Sequence, residues 1–252
     1  MDHTNPGYVD PAWKTLYRVS GVAALIAVFV FRRYLGAELM AFRGFGLLAV
    51  PETMPVSSAE WFTLLQRNTL VGLALLNVFD LIEYTLVGLI FLAVSTALWR
   101  TNRAILLVAT ICGLVGIIVY FASNQAFAML ALSERYGAAT TDAQRATFLA
   151  AGEALLAINN PGALIQGTGT YASLFLVLLA GLIISIVMLR SNVFSKLTAV
   201  TGILANSSAL GYFFVLAFVP AMLAIPFIIS APFRITWYFL IARKLFQLGK
   251  DG

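Results

Sequence analysis

The amino-acid sequence predicts an all-α membrane protein, a bundle of six transmembrane helices with interfacial helices on its outer face. Hydrophobic residues make up 61% of the 252 residues and charged residues 11%, against about 45–50% and about 25% in soluble domains. Apolar runs of about 18 or more residues recur along the chain, and in lipid a helix satisfies its own backbone polar groups. A single transmembrane domain over residues 1–252 accommodates six spans and their connections.

The charge balance and the scarcity of cysteine and histidine exclude several classes of function. The formal charge of +5 is explained by basic residues at the ends of spans, so no nucleic-acid partner is implied. Cys112 is the one cysteine, which excludes an internal disulfide. His3 is the one histidine, which excludes a His-rich zinc site, haem held by two histidines and Ser-His-Asp chemistry in the membrane. We therefore expect no cofactor and no metal, and membrane lipids as partners.

The first half of the chain carries three apolar runs and one long connection. The run at residues 17–33 is interpreted as an uncleaved first span, because no small-residue cleavage site follows it. A connection then reaches Asn68, and within it Ser57 and Glu60 form a capping-box pattern that predicts a helix through Arg67. The next two spans are predicted at 70–99 and 104–130.

The second half repeats this arrangement after a second long connection, Ser133 to Gly169. Thr141 and Gln144 form another capping-box pattern, and the apolar residues that follow recur at helical spacing. We expect this helix to lie in the membrane interface on its apolar face and to stop at Asn159. The last three spans are predicted at 171–189, 197–218 and 223–242.

The distribution of Lys and Arg predicts an orientation in which both termini are cytoplasmic. Inner basic residues crowd the short links, whereas outer ones are spread through the long connections. The inner set holds nine residues: Lys14, Arg18, Arg100, Arg103, Arg190, Lys196, Arg243, Lys244 and Lys250. The outer set holds six: Arg32, Arg33, Arg43, Arg67, Arg135 and Arg145.

Two acids, Asp80 and Glu83, lie in the second span, where ionisable residues indicate function by default. A rise of about 1.5 Å per residue places both near the outer boundary of the membrane, at the level of Asn124 and Gln125. One reading is a structural ion pair with Arg32 or Arg33 at the outer end of the first span. The other is a coupled carboxylate pair, in which one acid holds a proton.

Arg234 is the one deep cation, about 14 Å above Arg243 by helical rise. Asn206, with Ser207 beside it, lies about 15 Å above Lys196 and therefore at the same level. Pro232 lacks an N–H and should leave a carbonyl free one turn back. These groups are expected to satisfy the guanidinium, either as a packing contact between helices or as the floor of a ligand cavity. The alternative is that Arg234 extends outward along its long stem toward Glu83.

Six segments of the chain carry a family resemblance: DLIEY from Asp80, RTNR from Arg100, VYFASNQAFAML from Val119, TTDAQRATFLAAGEALLAI from Thr140, VMLRSNVFSKLTAVTGILAN from Val187 and ARKLFQLG from Ala242. They resemble a family of bacterial and archaeal multi-pass membrane proteins, the domain-of-unknown-function 4386 family. The likeness covers about two-thirds of the chain and is weakest over the first sixty or so residues. It implies a compact membrane domain of about six helices and assigns no catalytic or binding residue.

Two classes of function fit these observations. In the first, the protein binds or translocates a small molecule or lipid through an outward-facing polar cavity. In the second, it is a non-catalytic accessory or structural subunit whose polar groups satisfy one another. An enzyme is least favoured, because the spans carry no histidine, cysteine cluster or paired nucleophile and base. The candidate ligand-binding residues are Arg234, Asn206, Ser207, Asp80, Glu83, Asn124 and Gln125.

Overall fold

The computed structural model describes residues 11–31 and 51–250, and the regular structure within these ranges is entirely helical. Two short 3-10 turns, Pro11–Trp13 and Pro220–Met222, accompany the α-helices. The α-helices are α1 Lys14–Phe31, α2 Ser58–Arg67, α3 Thr69–Leu75, α4 Val78–Ala97, α5 Arg103–Ser123, α6 Ala126–Ala138, α7 Asp142–Ile158, α8 Thr168–Leu189, α9 Lys196–Phe218 and α10 Ile225–Lys250.

Five helical segments in the described residues are long and apolar enough to cross a membrane, which indicates a membrane protein. They are Val78–Ala97, Arg103–Ala138, Thr168–Leu189, Lys196–Phe218 and Pro220–Lys250. The first predicted span corresponds to α1, which is not among the five, so the count of six stays a prediction.

The predicted span 70–99 is two helices, because the chain breaks at Leu76 and Asn77 between α3 and α4. Asn77 has φ 61°, in the left-handed region that asparagine tolerates better than most residues. The side-chain amide of Asn124 stabilises this break, since its Nδ2 donates to the carbonyl of Asn77 at 3.2 Å. Hydropathy alone did not reveal this break because apolar residues continue on both sides of it.

The predicted span 104–130 is also interrupted, at Asn124 and Gln125 between α5 and α6. The Oδ1 atom of Asn124 accepts a hydrogen bond of 3.1 Å from the backbone N–H of Ala126, where α6 begins. The helix then continues to Ala138, so the connection predicted to start at Ser133 starts later. Asn124 therefore shapes both breaks.

The local signals for helix ends in the two connections are confirmed. Ser57 with Glu60 and Thr141 with Gln144 both form complete capping boxes, at the starts of α2 and α7. The second of these helices ends at Ile158, as the Asn159 stop signal predicts. Such caps depend on residues only three positions apart, which is why the sequence is sufficient to predict them.

The last helix is longer than predicted, since α10 continues beyond residue 242 to Lys250. Leu245 and Leu248 are buried in this extension, on a face that packs along α1. The Nε atom of Arg18 donates to the carbonyl of Gly249 at 3.0 Å, which ties the start of α1 to the end of α10. The two helices are therefore antiparallel neighbours.

The chain divides into two compact units, and the first contains the described residues of 1–38, 83–117 and 175–252. Its helices α8, α9 and α10 pack as antiparallel neighbours through small residues. A Cβ on Gly202 would overlap Ser185 of α8 and Trp237 of α10. A Cβ on Gly181 would lie 2.6 Å from Oδ1 of Asn206. Close helix approach in this unit therefore depends on glycine at these positions.

The second unit contains the described residues of 39–82 and 118–174. Its core is formed by α2, α3, α6 and α7, with Trp61, Phe62 and Met129 all fully buried. Two hydrogen bonds join α2 to α7: the N–H of Ser58 donates to Glu153 at 2.6 Å, and its hydroxyl donates to a backbone carbonyl of α7 at 3.0 Å. The apolar face of α7 thus packs on helices, and its location at a membrane interface stays a prediction.

Candidate functional site

The first unit contains a buried polar cluster formed by Glu83 on α4 and by Arg234 and Tyr238 on α10. Only 6%, 7% and 1% of these three residues are exposed, respectively. Arg234 and Tyr238 are four residues apart and therefore lie on one face of α10. Tyr238 forms a hydrogen bond with Arg234 and interacts electrostatically with both Arg234 and Glu83. Since a guanidinium only donates, Arg234 is the donor to the phenol oxygen.

The cluster unites opposite charges within an apolar helix bundle. Glu83 is the only acid among the described residues of the first unit. The guanidinium of Arg234 stays protonated in proteins, so Glu83 is its one carboxylate counter-ion available within that part of the unit. Removing either group alone would leave an uncompensated buried charge, which is strongly destabilising.

Two further polar side chains of α10, those of Ser230 and Trp237, lie close in sequence to Arg234 and Tyr238. Ser230 is one turn before Arg234, and the ring of Trp237 stacks on Tyr238 with centroids 5.4 Å apart. The hydroxyl of Ser230 and the indole Nε1 of Trp237 are buried, and neither has a hydrogen-bond partner in the described part of the chain. Together with Arg234 and Tyr238, they give α10 four polar side chains in little more than two turns.

Asn206 and Ser207, which were predicted to contact Arg234, form hydrogen bonds within their own helix. The Nδ2 atom of Asn206 donates to the carbonyl of Gly202 in its own helix at 2.8 Å. Ser207 is exposed, and its hydroxyl donates to the carbonyl of Ile203 at 2.7 Å. The two residues were predicted from depth alone, and depth does not give the direction in which a helix turns a side chain.

The second unit has its own buried acid, Asp80, in the first turn of α4. The hydroxyl of Tyr120 on α5 donates to Oδ2 of Asp80 at 2.9 Å, and both side chains are buried. Asn124, which directly follows α5, stabilises the break before α4, whereas Nε2 of Gln125 donates to the carbonyl of Ser123 at 3.2 Å. The structure thus brings Asp80 and Asn124 to one junction, and Gln125 bonds its local backbone.

The seven predicted site residues therefore divide into separate groups. Asp80 and Glu83 are one turn apart on α4, but each interacts with a different tyrosine. The predicted ion pair with Arg32 or Arg33 lies outside the described residues. The described residues contain no group of three or more His, Cys, Asp and Glu side chains placed to hold a metal ion.

Sequence reasoning missed both tyrosines that interact with the buried acids. Tyr238 had a usable signal, because it lies four residues after Arg234 and so shares its helix face. Tyr120 had a weaker signal, since its partner lies 40 residues away on another helix. A phenol in a span is an adaptable partner, because it both donates to a carboxylate and accepts from a guanidinium.

Comparisons with known proteins place the chain in no family. No protein-family model matches it, and neither a curated protein nor a solved structure shows significant similarity to it.

Proposed function

We propose that the chain is a six-span protein of the cell membrane that binds or translocates a small molecule or lipid. The proposal counts α1 as the first span. In support, α1 runs antiparallel to α10, and Ala24 and Ala27 on it are fully buried. The proposed orientation has both termini in the cytoplasm, in keeping with the positive-inside rule.

The Glu83–Tyr238–Arg234 cluster carries this proposal. Charged side chains within membrane spans are expensive and typically mark sites of binding or transport. Arg234 offers a planar fork of donors that suits a carboxylate, phosphate or carbonyl oxygen. Glu83 supplies the balancing charge, and Tyr238 accepts a hydrogen bond from Arg234. We assign this cluster, and not Asn206 or Ser207, as the centre of the ligand site.

A non-catalytic accessory or structural subunit is the second candidate. One observation favours it: the hydrogen bond between Tyr120 and Asp80 provides a buried acid with a partner inside the protein. Under this alternative, the cluster around Arg234 is also a packing contact between helices, and any lipid that co-purifies with the protein is ordinary surrounding lipid.

Two finer features belong to the same proposal. We assign α2 and α7 to the outer face of the membrane, where the short acidic and polar stretches of the second unit contact headgroups. We also propose membership of the domain-of-unknown-function 4386 family, on the segments that resemble it.

Mass spectrometry of small molecules and lipids that co-purify with the protein distinguishes the two candidates. We expect Arg234→Lys to fold but to lose a specific bound species, since the planar fork is lost while the charge remains. Arg145→Lys is the matched control, because Arg145 is half exposed in the second unit. If Arg234→Met lowers thermal stability but purifies with unchanged bound species, the cluster is structural and the first candidate is rejected.

A further inference from the structure

One end of the first unit carries a concentration of cations that the proposed ligand site does not use. Arg103 begins α5, Arg190 follows α8, and Lys196 begins α9. Arg243 and Lys244 lie on the last part of α10. The pairing of the helices determines whether these five residues share one level.

The contacts between neighbouring helices place them at the same end. Gly113 on α5 packs against Ala180 on α8. Arg103 lies ten residues before Gly113 and Arg190 lies ten residues after Ala180, so the two arginines are at the same level of these antiparallel helices. Gly202 on α9 packs against Trp237 on α10. Lys196 lies six residues before Gly202 and Arg243 lies six residues after Trp237, so these two cations are also at the same level. The short link between α8 and α9 joins the two pairs.

These cations have no counter-ion within the described part of the unit. Arg103, Arg190, Lys196 and Arg243 are exposed, Lys244 is partly exposed, and none of the five forms an ion pair with another described residue. The sequence contains no acid from residue 84 to 133 or from 154 to 250. The single acid of the described unit, Glu83, is 14 residues before the end of α4, about 21 Å away by helical rise. The described part of this end therefore presents exposed positive charge, which an anionic surface can neutralise.

Exposed apolar side chains adjoin the cations in the chain. Leu189 precedes Arg190 and is 41% exposed, and Leu197 follows Lys196 and is 60% exposed. Ile105, two residues after Arg103, is 41% exposed. A partner that binds this end therefore contacts both cationic side chains and exposed apolar side chains. That combination fits a phospholipid better than it fits nucleic acid or an acidic protein, which would leave the apolar groups in water.

We propose that this end of the first unit binds anionic phospholipids, with Arg103, Arg190, Lys196, Arg243 and Lys244 contacting the phosphodiester headgroups. The leucine and isoleucine side chains beside them contact the upper part of the acyl chains. Each cation near a membrane surface contributes about 1 kcal/mol toward anionic lipid, equivalent to about a fivefold change in relative affinity. The inference requires insertion in a membrane and does not depend on a ligand at Arg234.

Spin-label EPR of the protein reconstituted in phosphatidylcholine tests the inference. The measured quantity is the selectivity of the protein surface for spin-labelled phosphatidylglycerol over spin-labelled phosphatidylcholine. We expect wild-type protein to prefer phosphatidylglycerol several-fold at low salt. The variant Arg190→Gln/Lys196→Gln/Arg243→Gln should lose most of this preference, and 0.5 M NaCl should weaken it in the wild type, because screening acts on exposed charges.

Two controls keep the outcome interpretable. Arg135→Gln/Arg145→Gln removes cations from the second unit and should leave the selectivity unchanged. Lys196→Arg retains the charge and should also leave it unchanged, whereas a loss there would indicate misfolding. Equal selectivity in the triple variant and the wild type overturns the proposal. Arg234→Lys separates it from the proposed function, because that change should fold and alter the ligand site without altering lipid selectivity.

Discussion

The hydroxyl of Tyr120 donates a hydrogen bond of 2.9 Å to the carboxylate of Asp80, between two helices and in a buried setting. The other buried acid of α4, Glu83, interacts with Tyr238. Each acid of this helix thus has a tyrosine on a different helix. The phenol donor helps to hold the buried Asp80 carboxylate in place in the second unit.

The Asp80–Tyr120 contact should appear as coupling in a double-mutant cycle. Hydrogen bonds to charged groups typically contribute about 1.5–3 kcal/mol. We expect Asp80→Asn and Tyr120→Phe each to lower thermal stability, and the double variant to lose less than their sum by about 1 kcal/mol. Additive effects, measured by thermal unfolding in detergent, would contradict the contact.

Glu83 and Arg234 should depend on each other for stability. Breaking a buried charge pair from one side costs about 3–5 kcal/mol, whereas replacing both charges is much milder. We therefore expect Glu83→Gln and Arg234→Met each to destabilise the protein, and Glu83→Gln/Arg234→Met to recover most of the loss. Ser207→Ala is the control, because the exposed Ser207 hydroxyl bonds only its own helix. A double variant as unstable as the sum of the single ones would argue against mutual compensation.

The break between α3 and α4 should be sensitive to the backbone conformation of residue 77. Because Asn77 has φ 61°, Asn77→Ala places a Cβ in the left-handed region and should cost about 1–2 kcal/mol. Asn77→Gly should be nearly neutral, since glycine adopts this conformation readily. The free energy of unfolding of both variants, measured with urea, checks the difference. If Asn77→Ala were more stable than Asn77→Gly, residue 77 would not adopt the left-handed conformation in solution.

The capping box of α2 predicts a pH dependence. The backbone N–H groups of Val56 and Ser57 donate to the Glu60 carboxylate and lower the pKa of that carboxyl below its usual value. A carboxyl with a lowered folded-state pKa contributes stability above its unfolded-state pKa, near 4.5, and loses it as the pH falls through the folded-state value. Glu60→Gln should therefore flatten the acid side of the stability profile below about pH 4.5. A profile identical to that of the wild type would exclude this contribution.

The proposed orientation is tested by cysteine accessibility in intact cells. Cys112 is first replaced by serine, and single cysteines are then introduced at Thr101, Thr147 and Asn192. A membrane-impermeant maleimide should label Thr147→Cys and spare the other two, because the short basic links are assigned to the cytoplasm. Labelling at Thr101→Cys from outside would reverse the topology.

The helix ends in the two connections could be predicted from the sequence because their causes are local. Ser57 with Glu60 and Thr141 with Gln144 each satisfy backbone groups within one turn, so no distant residue is needed to fix them. The apolar runs likewise predicted helices suited to a membrane, since hydropathy is a property of the segment itself.

The side-chain partners required the tertiary structure. Asp80 and Tyr120 are 40 residues apart, and their contact depends on how α4 and α5 are rotated and tilted against each other. The same reason explains why Asn206 was predicted at the level of Arg234 yet bonds its own helix. Likewise, the left-handed turn at Asn77 is stabilised by Asn124, 47 residues later in the chain. Local sequence sets which segments become helices, whereas the packing of those helices decides which buried polar groups meet, because a rotation of a helix by a fraction of a turn points a side chain at a different neighbour.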